Sequence, residues 1–466
     1  MNASSDSLID RSDAAIPIHA VDPDGLDALL ASIGDVEAAW ARSTGFDASA
    51  GAVTIIADAS GVIGRVLFGL GRVDGVRTMP LITGKLPRIL PQGDYHFATD
   101  LPDPLLGAVG WALGNYRFER YKSNPSPIPR LVMPKGADAG QARSMARAIA
   151  MVRDLINTPA SDLGPAELSA AIHALGARHG AKVSEIVGRE LLSANLPMIH
   201  AVGRAAEASR EPRLVDLVWG DPSHPKVTLV GKGVTFDTGG LDIKPSSGML
   251  LMKKDMGGAA NTMGLAQMIM EAKLPVRLRL LVPTVENAIS GPAFRPGDVL
   301  RSRVGVTVEI GNTDAEGRLI LADALSLAAE DDPALLIDLA TLTGAARVAL
   351  GPELPAVFTH DDMLAADLAR HAALRSDPLW RLPLWAPYES LIDSKIADIN
   401  NAGTGGFAGS ITAALFLDRF VPKRIPWIHG DIYAWNPSGK PGRPEGGEAQ
   451  TIRALFSLIQ ERFAPA

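Results

Sequence analysis

The chain has 466 residues, of which 47% are hydrophobic and 21% are charged, a balance typical of folded globular proteins rather than disordered segments. A length well beyond about 250–300 residues favours two domains over a single core. The net charge of -7 argues against nucleic acid as a main partner, and the absence of cysteine excludes disulfides, thiolate metal sites and a cysteine nucleophile.

The amino-terminal residues carry early acidic side chains and do not have the basic start and apolar stretch of a secretion signal. Nowhere do about 18 apolar residues follow one another, so no membrane-spanning helix is expected. We therefore predict a cytoplasmic location and no membrane partner.

Short apolar runs separated by turn residues predict a small α/β domain at the amino end. The runs are Val53–Ala57, Val62–Leu70 and Leu131–Met133. Gly69 and Gly71, followed by Gly75, come near to a dinucleotide-binding pattern, but the third glycine falls one place late. A simple turn is the preferred interpretation.

A helical pattern from Gln141 to Ile156, stopped at Pro159, separates the two parts of the chain. We predict an N-terminal α/β domain over 1–135, a linker helix within 136–160 and a catalytic domain over 161–466. In the larger part, apolar strands alternate with helical patterns, which predicts α/β/α layers around a central mixed sheet. The strand runs are Val227–Val230, Val276–Val282 and Leu335–Leu339, and the helical patterns are Gly257–Ala272, Arg318–Glu330 and Ser410–Phe420. The glycine- and proline-rich stretch Asn436–Gly447 is interpreted as a surface loop.

Two stretches of the larger part concentrate acidic and basic side chains at the ends of predicted elements. The first follows a buried strand and contains Lys232, Asp237 and Lys244 among glycines, with Asp255 directly ahead of a predicted helix. Glycine lets the backbone approach a ligand closely, and strand ends hold functional groups rigidly. This stretch is therefore a candidate site.

The second stretch places Asp314 and Glu316 two positions apart, which in an extended segment directs both carboxylates to one side. Arg318 is expected to begin a helix whose amino end adds partial positive charge. Each residue taken alone is more commonly a solvated surface residue, but their concentration in one domain favours a metal site. Carboxylates without cysteine suit zinc, manganese or magnesium, and two such ions can share a water.

Three competing chemistries do not have their sequence motifs in this chain. It contains no HExxH zinc-protease helix, no GxSxG serine elbow and no GxxxxGK[ST] phosphate loop. The nine histidines are scattered, and His429, the only one in a motif-like setting, is interpreted as structural.

At these acidic and basic residues the chain resembles the leucine aminopeptidase family, also called cytosol aminopeptidases. The family signature NTDAEGRL is complete at Asn312–Leu319, and the resemblance extends from about Arg153 to Ile432. The other matching segments are RDLINTPASDL, VGKGVTFDTGG, IKPS, KDMGGAA, DLATLTGAARVALG, ADINNAG and GSITAALFL. Tyr433 and Trp435 stand where the family has small residues, so the exact side-chain preference is left open.

The resemblance implies an aminopeptidase that releases N-terminal residues, preferably leucine-like, through the attack of a water bridging two metal ions. The substrate is expected to bind the centre through its free amino terminus. The implied metal ligands are Lys232, Asp237, Asp255, Asp314 and Glu316. Lys232 and Asp255 would bind the more tightly held ion, and Asp314 would bind the more weakly held one. Asp237 and Glu316 would bind both ions. Lys232 would bind as a neutral amine, so burial and the cations would have to lower its pKa.

The resemblance also implies the catalytic residues and the substrate pocket. Protonated Lys244 would stabilise the oxyanion of the tetrahedral intermediate, and Arg318 would hold a bicarbonate that shuttles a proton. The implied substrate-binding residues are Met252, Thr341 and Gly344 in the first pocket and Asn312 and Ala315 on the leaving side. The two ions would be zinc or manganese, with magnesium or cobalt as alternatives, and the assembly would be a homohexamer.

Two other functions stay open from the sequence. A different two-metal hydrolase, such as a phosphatase or an amidase, would activate water in the same way. Hydrolysis of leucine p-nitroanilide compared with p-nitrophenyl phosphate separates it from an aminopeptidase. A catalytically silent scaffold protein would have lost a metal ligand or Lys244, and neither is lost here.

Overall fold

In a computed structural model, which describes residues 6–72, 81–123 and 127–463, the chain divides into two compact units. The first unit contains residues 1–150 and 438–445, and the second contains 151–437 and 446–466. The change of unit falls inside the segment predicted as a linker, and the first unit also includes a late segment of the chain. The bounds 1–135, 136–160 and 161–466 stay a prediction.

The first unit is built on a six-stranded sheet. Its strands are β1 (Leu8–Ile9), β2 (Ile16–Val21), β3 (Val53–Ala57), β4 (Ile63–Gly69), β5 (Asp94–Phe97) and β6 (Arg130–Val132). Its helices are α1 (Leu26–Ser32), α2 (Asp35–Ser43), α3 (Pro104–Gly114), a 3-10 helix (Ile82–Arg88) and α4 (Ala139–Asn157), which continues into the second unit. The strand order is β1-β6-β5-β2-β4-β3, and every pair is parallel except the β3–β4 hairpin.

Close packing explains the two described glycines of the near-miss nucleotide pattern. A Cβ at Gly69 would lie 2.1 Å from the Ser49 carbonyl oxygen, and Gly71 has a φ of +69°, which favours glycine. Gly75 lies outside the described residues. The two described glycines therefore have a structural reason that involves no ligand.

The second unit contains the remaining elements. Its strands are β7 (Lys182–Val187), β8 (Arg213–Trp219), β9 (Lys226–Gly231), β10 (Gly233–Asp237), β11 (Arg277–Asn287), β12 (Val299–Arg301), β13 (Thr307–Glu309), β14 (Leu335–Ala340), β15 (Ala356–Phe358), β16 (Trp380–Arg381), β17 (Ile399–Asn400), β18 (Trp427–Asp431), β19 (Trp435–Asn436) and β20 (Gly446–Gly447). Its helices are α5 (Pro165–His179), α6 (Glu190–Ser193), α7 (Pro197–Gly203), α8 (Ser246–Met249), α9 (Gly257–Glu271), α10 (Glu316–Ala329), α11 (Gly344–Leu350), α12 (Asp362–Leu374), α13 (Gly409–Asp418) and α14 (Ile452–Phe463). Three 3-10 helices lie at Ala208–Arg210, Met252–Met256 and Ala386–Ile392.

The main sheet of the second unit is mixed, which confirms the predicted fold class. Its order is β16-β15-β18-β14-β9-β11-β8-β7, and β10 also pairs with β11. The inner strands β18, β14, β9, β11 and β10 run parallel to their neighbours in this group, whereas β15, β8 and β7 form antiparallel pairs. The carboxyl ends of the inner strands therefore meet at one edge, where α/β sheets bind ligands.

Apolar packing fixes α9 and α10 against this sheet. Residues 257–270 of α9 are all buried, and α10 is buried along almost its whole length. A helix that is apolar on all sides belongs to the core rather than to the surface. Because both helices begin at the edge where the parallel strands end, side chains at their first turns are held rigidly.

Three expectations from the sequence are wrong in detail. Asp314 lies in a turn rather than in an extended segment, and the helix begins at Glu316, two residues before the expected Arg318. The stretch Asn436–Gly447 is not simply a surface loop, because its ends pair as β19 and β20.

Candidate metal centre

The predicted site residues come from four separate elements that end at one place. Lys232 follows β9, Asp237 is the last residue of β10, and Asp255 lies in the 3-10 helix that precedes α9. Glu316 is the first residue of α10, and Asp314 lies in the turn before it. β9 pairs in parallel with β14 and with β11, and β11 pairs in parallel with β10, so these strand ends lie at one edge although they are separated along the chain.

Three of the carboxylates form a compact buried group. Asp237, Asp255 and Glu316 are 2%, 3% and 1% exposed, and each offers an oxygen within 4.8 Å of the others. Such a concentration of negative charge away from water is unfavourable unless cations compensate it.

Lys232 is one of the cations that compensate this charge. Its Nζ lies 2.8 Å from Asp255 Oδ2 and 2.9 Å from Glu316 Oε1, and it donates to the Thr341 carbonyl at 3.1 Å. A Cβ at residue 317 would stand 2.4 Å from Lys232 Cε, so Gly317 makes room for this side chain. Burial lowers the pKa of Lys232, but Asp255, Glu316 and Asp237 outweigh it and raise the pKa above its usual value.

Lys244 lies on the other side of the carboxylate group. Its Nζ is 2.8 Å from Asp237 Oδ2 and also contacts Asp314 Oδ1. Burial lowers the pKa of Lys244, but Asp237 and Glu316 outweigh this effect and raise it, so the side chain is protonated. Asp314, which is one-third exposed, is therefore linked through Lys244 to the buried carboxylates.

The carboxylates at α10 are strongly perturbed. Burial and the charge of Asp237 raise the pKa of Asp314 to about 6. Burial and Asp237 also raise the pKa of Glu316 well above its usual value. Glu316 Oε1 forms an ion pair with Lys232 Nζ at 2.9 Å, whereas Oε2 has no hydrogen-bond partner among the described residues. Carboxylate oxygens are hard donors that suit divalent metal ions, so Glu316 can also serve as a metal ligand.

Arg318 is a buried cation beside this group. Its Nη1 donates to the Asn401 carbonyl at 2.6 Å, whereas its Nε has no hydrogen-bond partner among the described residues. Burial lowers its pKa to about 10, so the guanidinium is charged at neutral pH. A charged guanidinium with an unused donor can hold an anion.

The expected pocket residues border the same region. Thr341 Oγ1 donates to Asp255 Oδ1 at 2.8 Å, and Met252 begins the 3-10 helix that carries Asp255. Gly344 is exposed and faces open space, since a Cβ there would meet no atom within 4 Å. Asn312 and Ala315 flank Asp314, and Asn312 Oδ1 accepts the Asp314 backbone N–H at 2.8 Å.

Two buried asparagines that hold the site had no predicted role. Asn401 Oδ1 accepts the backbone N–H groups of Gly311 and Asn312, and its Nδ2 donates to the Asn312 carbonyl. Asn287 Nδ2 donates to Asp237 Oδ1 at 2.8 Å. Asn401 lies in the matching ADINNAG segment, whereas Asn287 lies beyond the predicted strand Val276–Val282 and no sequence pattern marked it.

His429 has the surroundings of a structural residue, as the sequence suggested. It is fully buried, its Nδ1 lies 2.6 Å from Asp338 Oδ1, and its ring stacks on Phe358 and Trp427. Burial lowers the pKa of His429, but Asp338 outweighs this and raises it.

A buried carboxylate group flanked by lysines, at the carboxyl edge of parallel strands, is the arrangement of a divalent metal site in an α/β protein. The model of the cytosol aminopeptidase family, catalytic domain, matches residues 150–456, and that of the M17 aminopeptidase N-terminal domain matches residues 16–134. The chain therefore belongs to the cytosol aminopeptidase family, and it is a metal-dependent peptidase that hydrolyses peptides at their amino ends.

Similar proteins agree with this family. A probable cytosol aminopeptidase from Roseiflexus castenholzii is 38% identical over 426 residues, 85% of this chain and 86% of the relative. The crystal structure of a cytosol aminopeptidase from Coxiella burnetii is 46% identical with a TM-score of 0.93, covering 98% of this chain and 100% of that one. The bottromycin maturation enzyme BotP in complex with Mn is 33% identical with a TM-score of 0.87, covering 96% and 99%.

Proposed function

We propose that this aminopeptidase holds two divalent ions on Lys232, Asp237, Asp255, Asp314 and Glu316 and prefers leucine-like amino-terminal residues. The observation that supports the ligand set is the convergence of three carboxylates, 1–3% exposed, within 4.8 Å of one another. Glu316 Oε2, which has no hydrogen-bond partner among the described residues, and the other carboxylate oxygens of the set fit a divalent cation. Two bound ions would lower the pKa of a shared water from 15.7 towards about 7 and so supply a nucleophile at neutral pH.

Lys244 is the oxyanion-stabilising residue in this proposal. Its raised pKa keeps a positive charge at Nζ, and that atom lies at the edge of the carboxylate group rather than inside it. A fixed cation at this position stabilises negative charge that develops on the substrate carbonyl oxygen.

Arg318 is the anion-holding residue. Its guanidinium is charged and buried, and its Nε is unused among the described residues. Arg318 would hold a bicarbonate through this donor, and the bound anion would supply a group for proton transfer.

Met252, Thr341 and Gly344 line the first pocket in this proposal, and Asn312 and Ala315 lie on the leaving side. An apolar methionine and a glycine that faces open space leave room for a large aliphatic side chain. The preference for leucine-like residues rests on this arrangement.

The metals, location and assembly complete the proposal. Zinc or manganese is the expected pair, with magnesium or cobalt as alternatives, because BotP was solved with Mn and oxygen ligands accept all four. The relatives are called cytosol aminopeptidases, which supports a cytoplasmic location. No helix among the described residues is long and apolar enough to cross a membrane. A homohexamer is the proposed assembly.

Chelation and add-back test the proposal. Protein stripped with a chelator is expected to lose hydrolysis of leucine p-nitroanilide and to regain it with Mn²⁺ or Zn²⁺, with two ions bound per chain. An N-acetylated leucine peptide and p-nitrophenyl phosphate are expected to stay uncut. Efficient cleavage of the acetylated peptide contradicts the requirement for a free amino terminus, and phosphatase activity favours the other two-metal hydrolase.

A further inference from the structure

Asn287 joins the two ligand-bearing segments of the metal centre. It ends β11, where it pairs in register with Asp237 at the end of β10, and it is 1% exposed. Its Nδ2 donates to Asp237 Oδ1 at 2.8 Å and to the Thr313 carbonyl at 3.2 Å. Thr313 directly precedes Asp314, so one amide group contacts both segments.

The hydrogen-bond network fixes the orientation of this amide. Both atoms that face Nδ2 are acceptors, so the reversed amide would place an oxygen against two other oxygens. The Asn287 backbone is also fixed, because its carbonyl accepts the N–H and the hydroxyl of Thr238. The side chain therefore has one favourable arrangement.

The position of Asn287 Oδ1 gives a structural reason for glycine at residue 240. Asn287 Oδ1 is buried and has no hydrogen-bond partner among the described residues. A Cβ at residue 240 would lie 3.1 Å from this oxygen and 2.9 Å from Thr313 Oγ1, and Gly240 has a φ of +65°. Glycine at this position leaves room for Oδ1 next to the turn that carries the site.

The two carboxylate oxygens of Asp237 have different partners. Oδ1 accepts N–H groups from Asn287 and from Gly239, at 2.8 and 2.9 Å, whereas Oδ2 contacts Lys244 Nζ. Two donors on one oxygen fix the rotation of the carboxylate. Partners of this kind orient metal ligands and tune metal affinity.

We propose that Asn287 is a positioning residue that orients Asp237 and holds the Asp314 segment against it, so that both ions bind tightly. This inference rests on the proposed ligand set. Asn287 is not one of the proposed ligands, and its expected effect on turnover passes through its contacts with Asp237 and Thr313.

Manganese titration of the chelator-stripped protein tests this role. Asn287→Ala is expected to weaken binding of at least one Mn²⁺ about 10- to 100-fold by calorimetry, the range for lost partners of metal ligands. Activity is expected to return in part when excess Mn²⁺ restores loading. Asn287→Ser gives the same comparison if the alanine variant does not fold.

Asn261→Ala is the matched control. Asn261 is equally buried, its Nδ2 donates to the Gly257 carbonyl, and its Oδ1 accepts the Gln450 N–H. This variant is expected to lower the melting temperature and leave Mn²⁺ affinity unchanged. Unchanged affinity in both Asn287 variants, or equal weakening in Asn261→Ala, overturns the positioning role.

Asp237→Ala separates this inference from the proposed function. If Asp237→Ala weakens Mn²⁺ binding and the Asn287 variants do not, only the positioning role is wrong. If Asp237→Ala binds two Mn²⁺ ions with unchanged affinity, the ligand set itself is wrong, and the positioning role is overturned with it.

Discussion

Charge balance at Lys232 is the central feature of the site at the scale of single residues. The amine is buried between Asp255 and Glu316, and these acids raise its pKa although burial alone lowers it. From the sequence we expected that burial and the bound metal ions together would lower the pKa of Lys232. In the protein without metal the neighbouring acids raise this pKa instead, so a neutral amine at Lys232 requires the charge of the metal ions.

Lys232→Arg is expected to remove tight binding at one metal site and to lower kcat/KM by more than about 100-fold. A guanidinium is not neutralised at any ordinary pH, and Gly317 lies too close to Lys232 Cε to admit a larger group. Elemental analysis of the purified variant measures the bound metal. Lys226→Arg, at the half-buried start of β9, is the control, and two tightly bound metals in Lys232→Arg would contradict the ligand assignment.

Lys244→Gln is expected to lower kcat about 100- to 1000-fold while two ions stay bound, because it removes a charged donor but no proposed ligand. Steady-state kinetics with leucine p-nitroanilide measures the effect, together with metal content. A variant whose KM rises at constant kcat would place Lys244 in substrate binding instead.

At the scale of elements, the site depends on the contacts that hold α10 and the preceding turn in place. Asn401 is fully buried and hydrogen-bonds to both ends of the turn 311–315, while its backbone oxygen accepts from Arg318. Glu316 is positioned by the buried helix α10, of which it is the first residue. The hydrogen bonds of Asn401 therefore help to determine the shape of the turn.

Asn401→Ala is expected to destabilise the fold by about 1–3 kcal/mol, because it leaves buried backbone groups without partners. It is also expected to lower kcat, since the turn carries Asp314. Denaturant unfolding and kinetics on the same sample separate the two effects. Asn115→Ala, which removes a buried hydrogen bond in the first unit, should lower stability without changing kcat.

Asp323, in the middle of α10, gives a pH-dependent contribution to stability. Burial raises its pKa from 3.8 to about 7, although it accepts backbone N–H groups from Met198 and Arg303. Because the folded-state pKa is raised, the contribution is fully present below pH 3.8 and is lost as the pH rises through about 7.

Asp323→Asn is expected to remove this pH dependence, whose slope reaches about 1.4 kcal/mol per pH unit. Relative to the unsubstituted protein, the variant should gain stability between pH 4 and about 7. Urea unfolding at several pH values measures it. Asp221→Asn, in an exposed turn, is the control, and parallel stability curves for the Asp323 variant and the unsubstituted protein would contradict the assigned titration.

At the scale of the whole molecule, the proposed site residues are found in one of the two units. The proposed ligands, Lys244, Arg318 and the pocket residues all belong to the second unit. The first unit has its own sheet and core, in which Leu30 and Leu67 take part. It also includes residues 438–445, so neither unit is a single continuous piece of chain.

The proposed homohexamer predicts a mass in solution of about six chains of 49.0 kDa. Closed symmetric assemblies of identical chains are the rule among soluble oligomers. Analytical ultracentrifugation at several concentrations measures the mass. A single-chain mass at micromolar concentration, with full activity, would contradict the hexamer.

The sequence by itself determined the fold class, the alternation of strands and helices, and the identity of the charged residues. Periodicity and glycine placement are local properties, so Val53–Ala57 and Gly257–Ala272 were predicted almost to the residue. The complete signature at Asn312–Leu319 indicated the chemistry directly. The ligand roles and the pocket residues stay predictions.

Only the tertiary structure decided which side chains meet and what holds them. Strand pairing between β10 and β11 places Asn287 beside Asp237, and the contact of Asn401 with the turn 311–315 joins segments about ninety residues apart. Local sequence periodicity predicts neither contact. The raised pKa of Lys232 is likewise a sum over groups from distant parts of the chain, because electrostatic energies depend on distances in space rather than along the sequence.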